Sequence, residues 1–367
     1  MELCKAEKFY EQISSQKDRP LHSLNIELTR RCNFDCVHCF CAIPEKSSKQ
    51  KDELNLGQWN DILNQSEEEG VLNLTFTGGE PLLYPDFRKL WITAKKKGFL
   101  VTLFSNGSLI DEELADFLAE WTPAQVSVTL YGSTEETYQK VTRRHGMFEP
   151  VIRSLELLAE RKIILEVKGV FNRLNVHEFS QVRDIALRYC DLFRWDAGLV
   201  GGYPGCKNHP QSLRISPEEY VELGKKDPVR DNEQKEFFEN RSPSTPNRKS
   251  PFRCNVGYGE AHIDAYGYLH PCLLLESLKY DLKTGNIKEG WHKAVPQMLK
   301  NLSWKPGPCQ TCKAANICGQ CVGFAILEGC PPTGPVPYRC RLAKARIKAY
   351  GIKDKKGLTI YGFDGKI

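Results

Sequence analysis

Three cysteines stand within eight positions near the start of the chain, in the stretch RCNFDCVHCFC that begins at Arg31. The thiolates of Cys32, Cys36 and Cys39 would be ligands for a soft metal centre such as an iron–sulfur cluster. Three thiolates on a four-iron cubane leave one iron without a protein ligand, and that iron can chelate a small molecule. Zinc is the alternative, with Cys41 or His38 as fourth ligand, but a C-x3-C-x2-C loop suits tetrahedral zinc poorly.

A second group of cysteines lies in the C-terminal third of the chain. Its eight members are Cys254, Cys272, Cys309, Cys312, Cys318, Cys321, Cys330 and Cys340. Two cubanes with four thiolates each need eight ligands, so the number fits two further clusters. A zinc ribbon is the alternative for paired C-x2-C spacing, but the thiol count and the first cysteine group favour iron–sulfur chemistry.

Short apolar or β-branched runs alternate with amphipathic stretches from Leu24 to Val200, which predicts βα units around a parallel sheet. The six strand candidates are LNIELT from Leu24, VLNLTFT from Val71, LVTLFSN from Leu100, QVSVTLYG from Gln125, LEVKGVF from Leu165 and LFRWDAGLV from Leu192. The first cysteine group follows directly on the first strand, and sites on such sheets lie at the C-terminal ends of strands. The predicted fold class is α/β, a partial (β/α)6 barrel followed by a small cysteine-rich iron–sulfur domain.

Composition divides the chain into five predicted segments. Gly, Pro and polar residues dominate after Gly201, and RSPSTPNRKSP at 241–251 is typical of a linker. From Cys254 onward the chain is turn-rich, so bound metal is expected to order it more than an apolar core does. The segments are an N-terminal segment 1–23, a barrel domain 24–200, a bridging region 201–253, a cysteine-rich domain 254–345 and a tail 346–367.

The chain of 367 residues is 41% hydrophobic and carries a net charge of +5. Its length allows two or three domains at ~150 residues each. Fifteen cysteines are too few for a secreted scaffold held together by disulfides, yet they are many for a cytosolic protein with reduced thiols. Their number therefore indicates metal or redox chemistry. The charge is mild and spread out, so no nucleic-acid partner is expected. With a polar start and no stretch near ~20 apolar residues, we expect a cytoplasmic protein without a membrane partner.

The cysteine loop after the first strand resembles the radical S-adenosylmethionine (SAM) superfamily, and TFTGGEPLLYPDF at the end of the second strand strengthens the resemblance. In that family the glycine-rich stretch holds the SAM ammonium group. The residues that match it here are Gly78, Gly79, Glu80 and Pro81. Two glycines let a backbone close on a ligand, and a carboxylate accepts a charge-assisted hydrogen bond from an amine. The implied cofactors are SAM and a SAM-binding [4Fe–4S] cluster.

Other positions match further features of the family. By the resemblance, His38 would pack near the adenine, and Arg143 or Arg144 in TRRHGMF would pair with the SAM carboxylate, since a guanidinium binds a carboxylate through two donors. The polar residues expected to touch the ribose or carboxylate of SAM are Ser105, Asn106, Ser127 and Thr129.

The second cysteine group resembles the SPASM extension of radical SAM enzymes, which begins with a cysteine and a Gly-x4-Cys pair, here Gly267 and Cys272. The implied ligands of a distant auxiliary cluster are Cys309, Cys312, Cys318 and Cys340. Those of a nearer cluster are Cys254, Cys272 and Cys321. Either Cys330 completes the nearer cluster or that cluster has an open iron; one or two auxiliary [4Fe–4S] clusters are thus expected. Sulfatase-maturing members have an aspartate where this chain has Leu273, which disfavours formylglycine formation.

The resemblance implies reductive cleavage of SAM to a 5′-deoxyadenosyl radical and removal of a hydrogen atom from a substrate. The expected substrate is a ribosomally synthesised peptide that receives a cross-link, a thioether or an epimerised centre. Oxidation or decarboxylation of a small molecule such as a tetrapyrrole, and a non-catalytic iron–sulfur carrier, are the alternatives. The candidate catalytic residues near late strand ends are Lys168, Asp196 and Cys206, with Trp195 and Tyr203 as further substrate-side candidates. A flavodoxin- or ferredoxin-type electron donor and a separate peptide-recognition protein are the expected partners.

Overall fold

The computed structural model describes residues 19–41, 43–44, 46–240, 252, 254–302, 305 and 307–352. Most of the predicted N-terminal segment, the linker at 241–251 and the tail from 353 onward lie outside these residues. None of the helices in the described part of the chain is long and apolar enough to cross a membrane.

A nine-stranded, mostly parallel β-sheet is the main feature of the fold. The strands β1 to β11 of the described residues are Leu21–Thr29, Arg31–Cys32, Ile43–Pro44, Asn73–Gly78, Leu100–Ser105, Gln125–Leu130, Leu165–Val170, Leu192–Asp196, Gly259–Ile263, Tyr268–His270 and Tyr280–Asp281. One sheet has the order β11-β10-β9-β1-β4-β5-β6-β7-β8, and the short β2 and β3 pair separately. The neighbours β1 and β4 to β8 are all parallel and coincide with the six predicted strands, which confirms the partial barrel.

The segment that follows Cys254 extends the same sheet. Strand β9 runs parallel to β1, with Ala261 opposite Leu24, and β10 and β11 continue antiparallel. The Gly267-x4-Cys272 motif begins in the turn between β9 and β10, and Cys272 comes two residues after the end of β10. Because β10 is the second strand from the edge, the motif lies at the edge of the barrel sheet. The sequence analysis missed these strands because they are only two to five residues long and contain no extended apolar run.

The described chain divides into two compact units. The first contains the residues up to Asp196 together with Asn255–Leu302, and the second contains those of Ala197–Cys254 and the residues after Leu302. Contacts therefore group 255–302 with the barrel strands, whereas the predicted segments follow chain order. The domain boundaries drawn from composition stay predictions.

Helices cover one face of the first unit's sheet. Helices α1 to α6 are Leu56–Glu68, Phe87–Lys96, Glu112–Glu120, Glu135–Thr142, Phe148–Glu160 and Phe179–Ala186, and short 3-10 turns occupy Ser48–Asp52, Pro81–Leu83 and Val176–Glu178. Asn55 caps α1 through a reciprocal capping box with Gln58. Trp59, Ile62 and Leu63 of α1 are buried, as its 3.6-residue periodicity predicts. The segment 255–302 adds a helix with α-helical parts Ile287–Glu289 (α7) and Val295–Asn301 (α8) around a π-helical turn at Gly290–Ala294.

The two faces of the sheet differ in polarity. On the helix-covered face, Phe76 of β4 packs edge-on against Trp91 of α2, with 5.7 Å between ring centroids. On the opposite face, Ser127 of β6 stands in register with Glu166 of β7. Because side chains alternate along a strand, this second face also receives Lys168, two residues after Glu166. The polar face is therefore formed by alternate residues of adjacent parallel strands.

The second unit is built from short helices and small apolar clusters. Its helices α9 to α14 are Pro217–Lys225, Pro228–Asn240, Pro308–Thr311, Ala315–Cys318, Val322–Leu327 and Pro337–Ala349, with a 3-10 turn at Pro210–Leu213. One cluster contains Ile317 and Ala343, and another contains Phe324 and Val336. The expectation that bound metal orders the chain after Cys254 more than an apolar core does stays a prediction, and its part 255–302 packs with buried apolar residues in the first unit.

Candidate functional site

The loop 32–39, which carries the three N-terminal cysteines, is held at the C-terminal end of α4. Asp35 N donates to Thr142 O at 3.0 Å, and Val37 N donates to Val141 O at 2.9 Å. The last carbonyls of a helix have no partner inside the helix, so the loop amides satisfy them. The ordered helix end therefore fixes the backbone on both sides of the second cysteine, Cys36.

The thiols of this loop are largely shielded from water. Cys32 and Cys36 are buried and Cys39 is half-buried, and the Cys32 sulfur accepts hydrogen bonds from Phe34 N at 3.4 Å and Asn106 Nδ2 at 3.8 Å. Burial and then a nearby carboxylate raise the pKa of Cys32 to about 12, and burial raises the pKa of Cys36 well above its ordinary value. Such thiols ionise when a bound metal supplies the opposing charge. The donor set thus fits a three-thiolate iron–sulfur cluster.

The arrangement differs from that of a single-ion site. No three His, Cys, Asp or Glu side chains lie close enough together to hold one metal ion in the part of the chain that the structure describes. In a cubane each thiolate binds its own iron, so the ligands stand farther apart than those of zinc. Cys41 lies beside the loop, where the neighbouring Cys39 thiol and burial raise the pKa of Cys41 well above its ordinary value.

The glycine-rich stretch approaches the cysteine loop backbone to backbone. Gly79 N donates to Thr29 O at 2.8 Å, and Glu80 N donates to Arg31 O at 2.8 Å. A Cβ on Gly78 would lie 2.1 Å from Thr29 O, and one on Gly79 would lie 2.3 Å from Arg31 O. The structure therefore corrects the physical reason given for these glycines: protein backbone, rather than a ligand, occupies the space beside them. Their contact with the SAM ammonium group stays a prediction.

Glu80 is completely buried at the junction of β4 and β5. Its carboxylate accepts hydrogen bonds from Ser105 Oγ at 2.9 Å, Asn106 N at 2.7 Å and Leu82 N at 3.3 Å. Burial raises the pKa of Glu80 to about 7 despite these donors. The next residue, Pro81, is buried at the start of a 3-10 turn. The structure thus brings together three residues predicted at the SAM site, Glu80, Ser105 and Asn106, and connects them to one another.

The side chain of Asn106 points to the cysteine loop. Its Nδ2 donates to Asn33 Oδ1 at 2.8 Å as well as to the Cys32 sulfur, and its Oδ1 accepts from Ser108 Oγ at 2.7 Å. The resemblance implies a contact of Asn106 with the ribose or carboxylate of SAM, and this contact stays a prediction. The bonds observed here make Asn106 a link between the end of β5 and a cluster ligand.

His38 and Tyr131 form an aromatic pair beside the cysteines. Their ring centroids are 5.3 Å apart, and Nδ1 of His38 is shielded from solvent without a hydrogen-bond partner. Burial lowers the pKa of His38 to about 4, so its imidazole is neutral at pH 7. A neutral ring with an unused nitrogen fits a cofactor site, and the adenine contact of His38 stays a prediction. Tyr131, whose ring packs on His38, was missed by the sequence analysis, although it lies within the predicted strand QVSVTLYG.

The two arginines after α4 both contact the cysteine loop. Arg143, in the left-handed conformation with φ of 55°, places its guanidinium 3.6 Å from the carboxylate of Asp35. Arg144 Nε donates to Asn33 O at 2.7 Å. Neither contact involves all the donors of a guanidinium, so pairing of Arg143 or Arg144 with the SAM carboxylate stays a prediction.

A charged network occupies the polar face of β6 to β8. Glu166 accepts a hydrogen bond from Ser127 Oγ at 2.6 Å and pairs with Lys168 at 3.2 Å and Arg194 at 2.8 Å. The Lys168 ammonium also lies 3.1 Å from the ring centroid of Phe104, and burial lowers its pKa. The hydroxyl proton of Ser127 is therefore used by Glu166, while Lys168 stands on the barrel's inner face as a substrate-side candidate.

The candidate residues near the ends of β6 and β8 lie on different faces of the sheet. Thr129 lies opposite Lys168 on the polar face, and Asp196 is exposed at the end of β8. Trp195 has the opposite orientation: it is buried and packs against Phe171 and Phe179, at 6.4 Å and 5.3 Å between ring centroids. The expectation that Trp195 faces substrate is wrong, because strand alternation directs it to the helix-covered side.

Cys206 and Tyr203 belong to the second unit. Cys206 N donates to Tyr203 O at 2.8 Å in a turn, and Cys206 is half-buried whereas Tyr203 is buried. A Cβ on Gly202 would lie 3.0 Å from the Cys206 sulfur, so the turn requires a small residue there. The catalytic role of Cys206 stays a prediction.

Several cysteines of the second unit lie close to one another. Cys312 packs on the apolar cluster that contains Cys318, and burial, then Cys318 and Cys312, raise the pKa of Cys340, to which Cys330 also contributes. Cys321 and Cys330 each pack against the cluster of Phe324 and Val336. The division of these cysteines into two ligand sets stays a prediction. The remaining predicted ligands are Cys254 and Cys309 in the second unit and Cys272 in the first.

Comparisons with known proteins agree with this site. Residues 26–182 match the family model described as the Radical SAM superfamily. The PqqA peptide cyclase of Rhizobium meliloti is 23% identical over 337 residues, which cover 88% of this chain and 88% of that protein. The AdoMet-dependent heme synthase of Methanosarcina barkeri is 24% identical over 317 residues, covering 80% of this chain and 89% of that protein.

A solved structure shows the same fold. Streptococcus suis SuiB bound to the precursor peptide SuiA aligns with a TM-score of 0.69 at 18% identity, covering 93% of this chain and 80% of that chain. The alignment extends well beyond the barrel into the C-terminal cysteine-rich region. Because the family match includes both the three-cysteine loop and the glycine-rich stretch, residues 26–182 belong to the radical SAM superfamily, and the whole chain is similar to its SPASM-containing enzymes.

Proposed function

We propose that this chain uses SAM and a [4Fe–4S] cluster on Cys32, Cys36 and Cys39 to modify a ribosomally synthesised peptide. The observation that carries the proposal is the convergence of two motifs from different strands. The glycine-rich stretch is bonded to the backbone at Thr29 and Arg31, directly before the cysteine loop. A cluster iron with an open position would therefore lie near the end of β4.

The residues of the chain have distinct roles in this proposal. When bound, the cluster and SAM supply a 5′-deoxyadenosyl radical, with methionine as leaving group after one-electron reduction, and the radical takes a hydrogen atom from the substrate. The shielded, neutral His38 would pack on the adenine, and the buried loop would exclude water from the reactive species. Glu80, Ser105 and Asn106 hold the ends of β4 and β5 together around this site.

A peptide substrate is favoured by the relatives. The PqqA peptide cyclase matches over 88% of this chain, and SuiB was solved with a precursor peptide bound. The modification would be a cross-link, a thioether or an epimerised centre. Leu273, next to Cys272, replaces the aspartate of sulfatase-maturing members, so formylglycine formation is disfavoured.

A tetrapyrrole substrate is the second candidate. It is favoured by the similarity to the AdoMet-dependent heme synthase, which matches over 80% of this chain at an identity close to that of the peptide cyclase. The substrate-side candidates on the barrel, Lys168 and Asp196, would be the same in both cases, and the catalytic role of Cys206 is a separate proposal.

We also propose auxiliary [4Fe–4S] clusters and two protein partners. In the second unit, the grouping of Cys312, Cys318 and Cys340 supports one ligand set, completed by Cys309. Cys321 and Cys330 pack against the same apolar cluster, which supports Cys330 as a ligand of the other set. A flavodoxin- or ferredoxin-type donor would reduce the clusters, and a separate protein would present the peptide. Because reduced clusters persist in a reducing compartment, the proposed location is the cytoplasm.

Anaerobic reconstitution tests this function. With dithionite and SAM, the protein should release 5′-deoxyadenosine, and three cubanes should give about twelve irons and twelve sulfides per chain. Cys36→Ala should lose about four irons and all SAM cleavage. Cys190→Ala, which removes a cysteine outside every proposed ligand set, is the matched control. Iron binding without SAM cleavage would instead indicate a non-catalytic iron–sulfur carrier.

A further inference from the structure

Two cations pair with one buried carboxylate on the polar face of the barrel sheet. Glu166 of β7 is 5% exposed, and its oxygens lie 3.2 Å from the Lys168 ammonium and 2.8 Å from Arg194 Nε on β8. In the part of the chain that the structure describes, Glu166 is the one carboxylate with which either cation forms an ion pair. Glu166, Lys168 and Arg194 therefore form a charged trio with one negative and two positive charges.

The side chains around the charged trio do not balance its excess positive charge. Ser127 Oγ donates to the carboxylate at 2.6 Å, and the ring centroid of Phe104 lies 3.1 Å from the Lys168 ammonium. Both of these side chains are neutral. The next acidic residue on the same face of β8 is Asp196, which is exposed and lies two residues, or about 7 Å along the strand, beyond Arg194.

An excess charge at a partly desolvated site is unfavourable unless an anion binds there. The Lys168 side chain is 27% exposed, and burial lowers its pKa, so its ammonium would gain from an opposing charge. The Arg194 side chain is 68% exposed, and a guanidinium has five N–H donors. It is therefore accessible to a second carboxylate beside that of Glu166, and a guanidinium binds carboxylates through strong charge-assisted hydrogen bonds.

The position of the charged trio along the strands suits a substrate group rather than SAM. Lys168 stands two residues before the end of β7, and Phe104 stands two residues before Asn106, where contact with SAM is predicted. Two residues correspond to about 7 Å along a strand. A substrate whose carboxylate is held by the charged trio would therefore extend along the polar face toward the strand ends, where the proposed function places SAM.

We propose that Lys168 and Arg194 bind a carboxylate of the substrate, while Glu166 holds the two cations side by side. This inference rests on the proposed function and names the chemistry of its substrate, which is a carboxylate separated by several bonds from the reacting C–H group. The acidic side chain of a peptide and the propionate of a tetrapyrrole both have this chemistry. An amide at the same place would leave the excess positive charge unbalanced.

The test measures binding by calorimetry to the anaerobically reconstituted full chain, with SAM present and no reductant. One pair of probes is a blocked pentapeptide with a central glutamate among alanines and the same peptide with a central glutamine. The other pair is coproporphyrin III, a tetrapyrrole with propionate groups, and its amide derivative. In at least one pair the acid should bind about ten- to hundredfold more tightly than the amide. The pair that shows this preference identifies the source of the carboxylate.

Two variants connect this preference to the charged trio. Lys168→Gln and Arg194→Gln should each reduce the preference for the acid about tenfold or more. Arg153→Gln, which removes a half-exposed cation from the outer helix α5, is the matched control and should keep the preference. Circular dichroism and iron content check that each variant is folded and loaded.

The carboxylate site would be overturned if neither acid bound more tightly than its amide, or if Lys168→Gln and Arg194→Gln kept the wild-type preference. Release of 5′-deoxyadenosine by the same wild-type preparation after addition of dithionite tests the proposed function separately. A protein that cleaves SAM without a preference for carboxylates would contradict this inference alone. A protein that prefers carboxylates without cleaving SAM would contradict the proposed function, so the two failures differ.

Discussion

Glu80 shows, at the scale of a residue, how a motif position obtains its role from neighbours far away in sequence. Its carboxylate accepts hydrogen bonds from Ser105, Asn106 and Leu82 inside a region without solvent. The resemblance to the family implies a contact with the SAM amine for this residue. The structure adds that the same carboxylate joins β4 to β5, so its removal should affect the protein before any cofactor binds.

Glu80→Gln should destabilise the metal-free protein. The amide keeps one acceptor oxygen and replaces the other by an NH2 group, so it loses either the hydrogen bond from Asn106 N or those from Ser105 Oγ and Leu82 N. The expected loss is about 1–3 kcal/mol in the free energy of unfolding, measured by urea denaturation. Glu68→Gln, on the exposed side of α1, is the matched control and should change little. Equal stability of Glu80→Gln and the wild type would contradict the structural role.

At the scale of a single element, helix α4 is fixed by hydrogen bonds at both of its ends. At its N-terminus the carboxylate of Glu178 accepts from Ser133 N at 2.6 Å, Thr134 Oγ1 at 3.0 Å and Thr137 Oγ1 at 2.6 Å. Its C-terminal carbonyls accept from the amides of the loop 32–39. Helix α4 thus links the buried carboxylate of Glu178 to the cysteine loop. A substitution that weakens the contacts at one end of the helix should therefore also destabilise the other end.

Glu178 should make stability depend on acid pH. Burial alone would raise the pKa of Glu178, but the hydroxyl of Thr137 and the N–H of Ser133 outweigh it and lower the pKa below 4.5. A carboxyl group whose pKa is lower in the folded than in the unfolded protein stabilises the fold at pH values above its unfolded-state pKa. That stabilisation is lost as the pH falls through the folded-state pKa. Glu178→Gln should therefore be less stable at pH 7 by about 1–3 kcal/mol, and the difference should shrink below pH 4.5. A pH-independent difference in urea denaturation would argue against this assignment.

Gly79→Ala should separate the glycine-rich stretch from the cysteine loop. The added Cβ would lie 2.3 Å from Arg31 O, so the segment after β4 has to move away from Arg31 at the start of β2. We expect lower stability and loss of the SAM-responsive cluster, measured by iron content and paramagnetic resonance. Gly224→Ala is the control, because that helical glycine has no atom within 4 Å of the new Cβ and should gain helix propensity. Full cluster occupancy in Gly79→Ala would show that the close approach is not needed.

The whole molecule is assembled by pairing segments that lie far apart in the chain. Strand β9 pairs with β1 in the centre of the nine-stranded sheet, although more than two hundred residues separate them. Trp291 of the same C-terminal segment is 0% exposed, and its Nε1 donates to Arg19 O at 2.7 Å. The barrel sheet therefore depends on residues from the region that the sequence analysis assigned to a separate domain.

Trp291→Ala should lower the stability of the barrel itself. Truncation of a fully buried tryptophan costs about 3–5 kcal/mol, since it leaves a cavity and, here, an unpartnered carbonyl at Arg19. Thermal unfolding followed by circular dichroism should show one transition of the first unit at a lower temperature. Trp121→Ala, at a half-buried site at the end of α3, should cost less. An unchanged barrel transition would mean that 255–302 is not needed for the stability of the sheet.

Much of this protein could be predicted from its sequence because the relevant signals are local. The spacing of Cys32, Cys36 and Cys39 and the glycine-rich stretch at Gly78 are properties of adjacent residues, and they indicate the cofactor chemistry without knowledge of the fold. The six parallel strands follow from alternating apolar runs. The periodicity of α1 likewise predicts its buried face correctly.

The sequence by itself thus determined the family and the parallel strands, and it indicated SAM and a [4Fe–4S] cluster as cofactors. Only the tertiary structure decided that Trp195 packs in the core, that Gly79 adjoins backbone, that β9 pairs with β1 and that Tyr131 packs on His38. Each of these depends on strand order and register, which bring together residues that are far apart in the chain or assign a side chain to one face. Such contacts leave no trace in the spacing of neighbouring residues, because non-local pairing is a property of the folded chain.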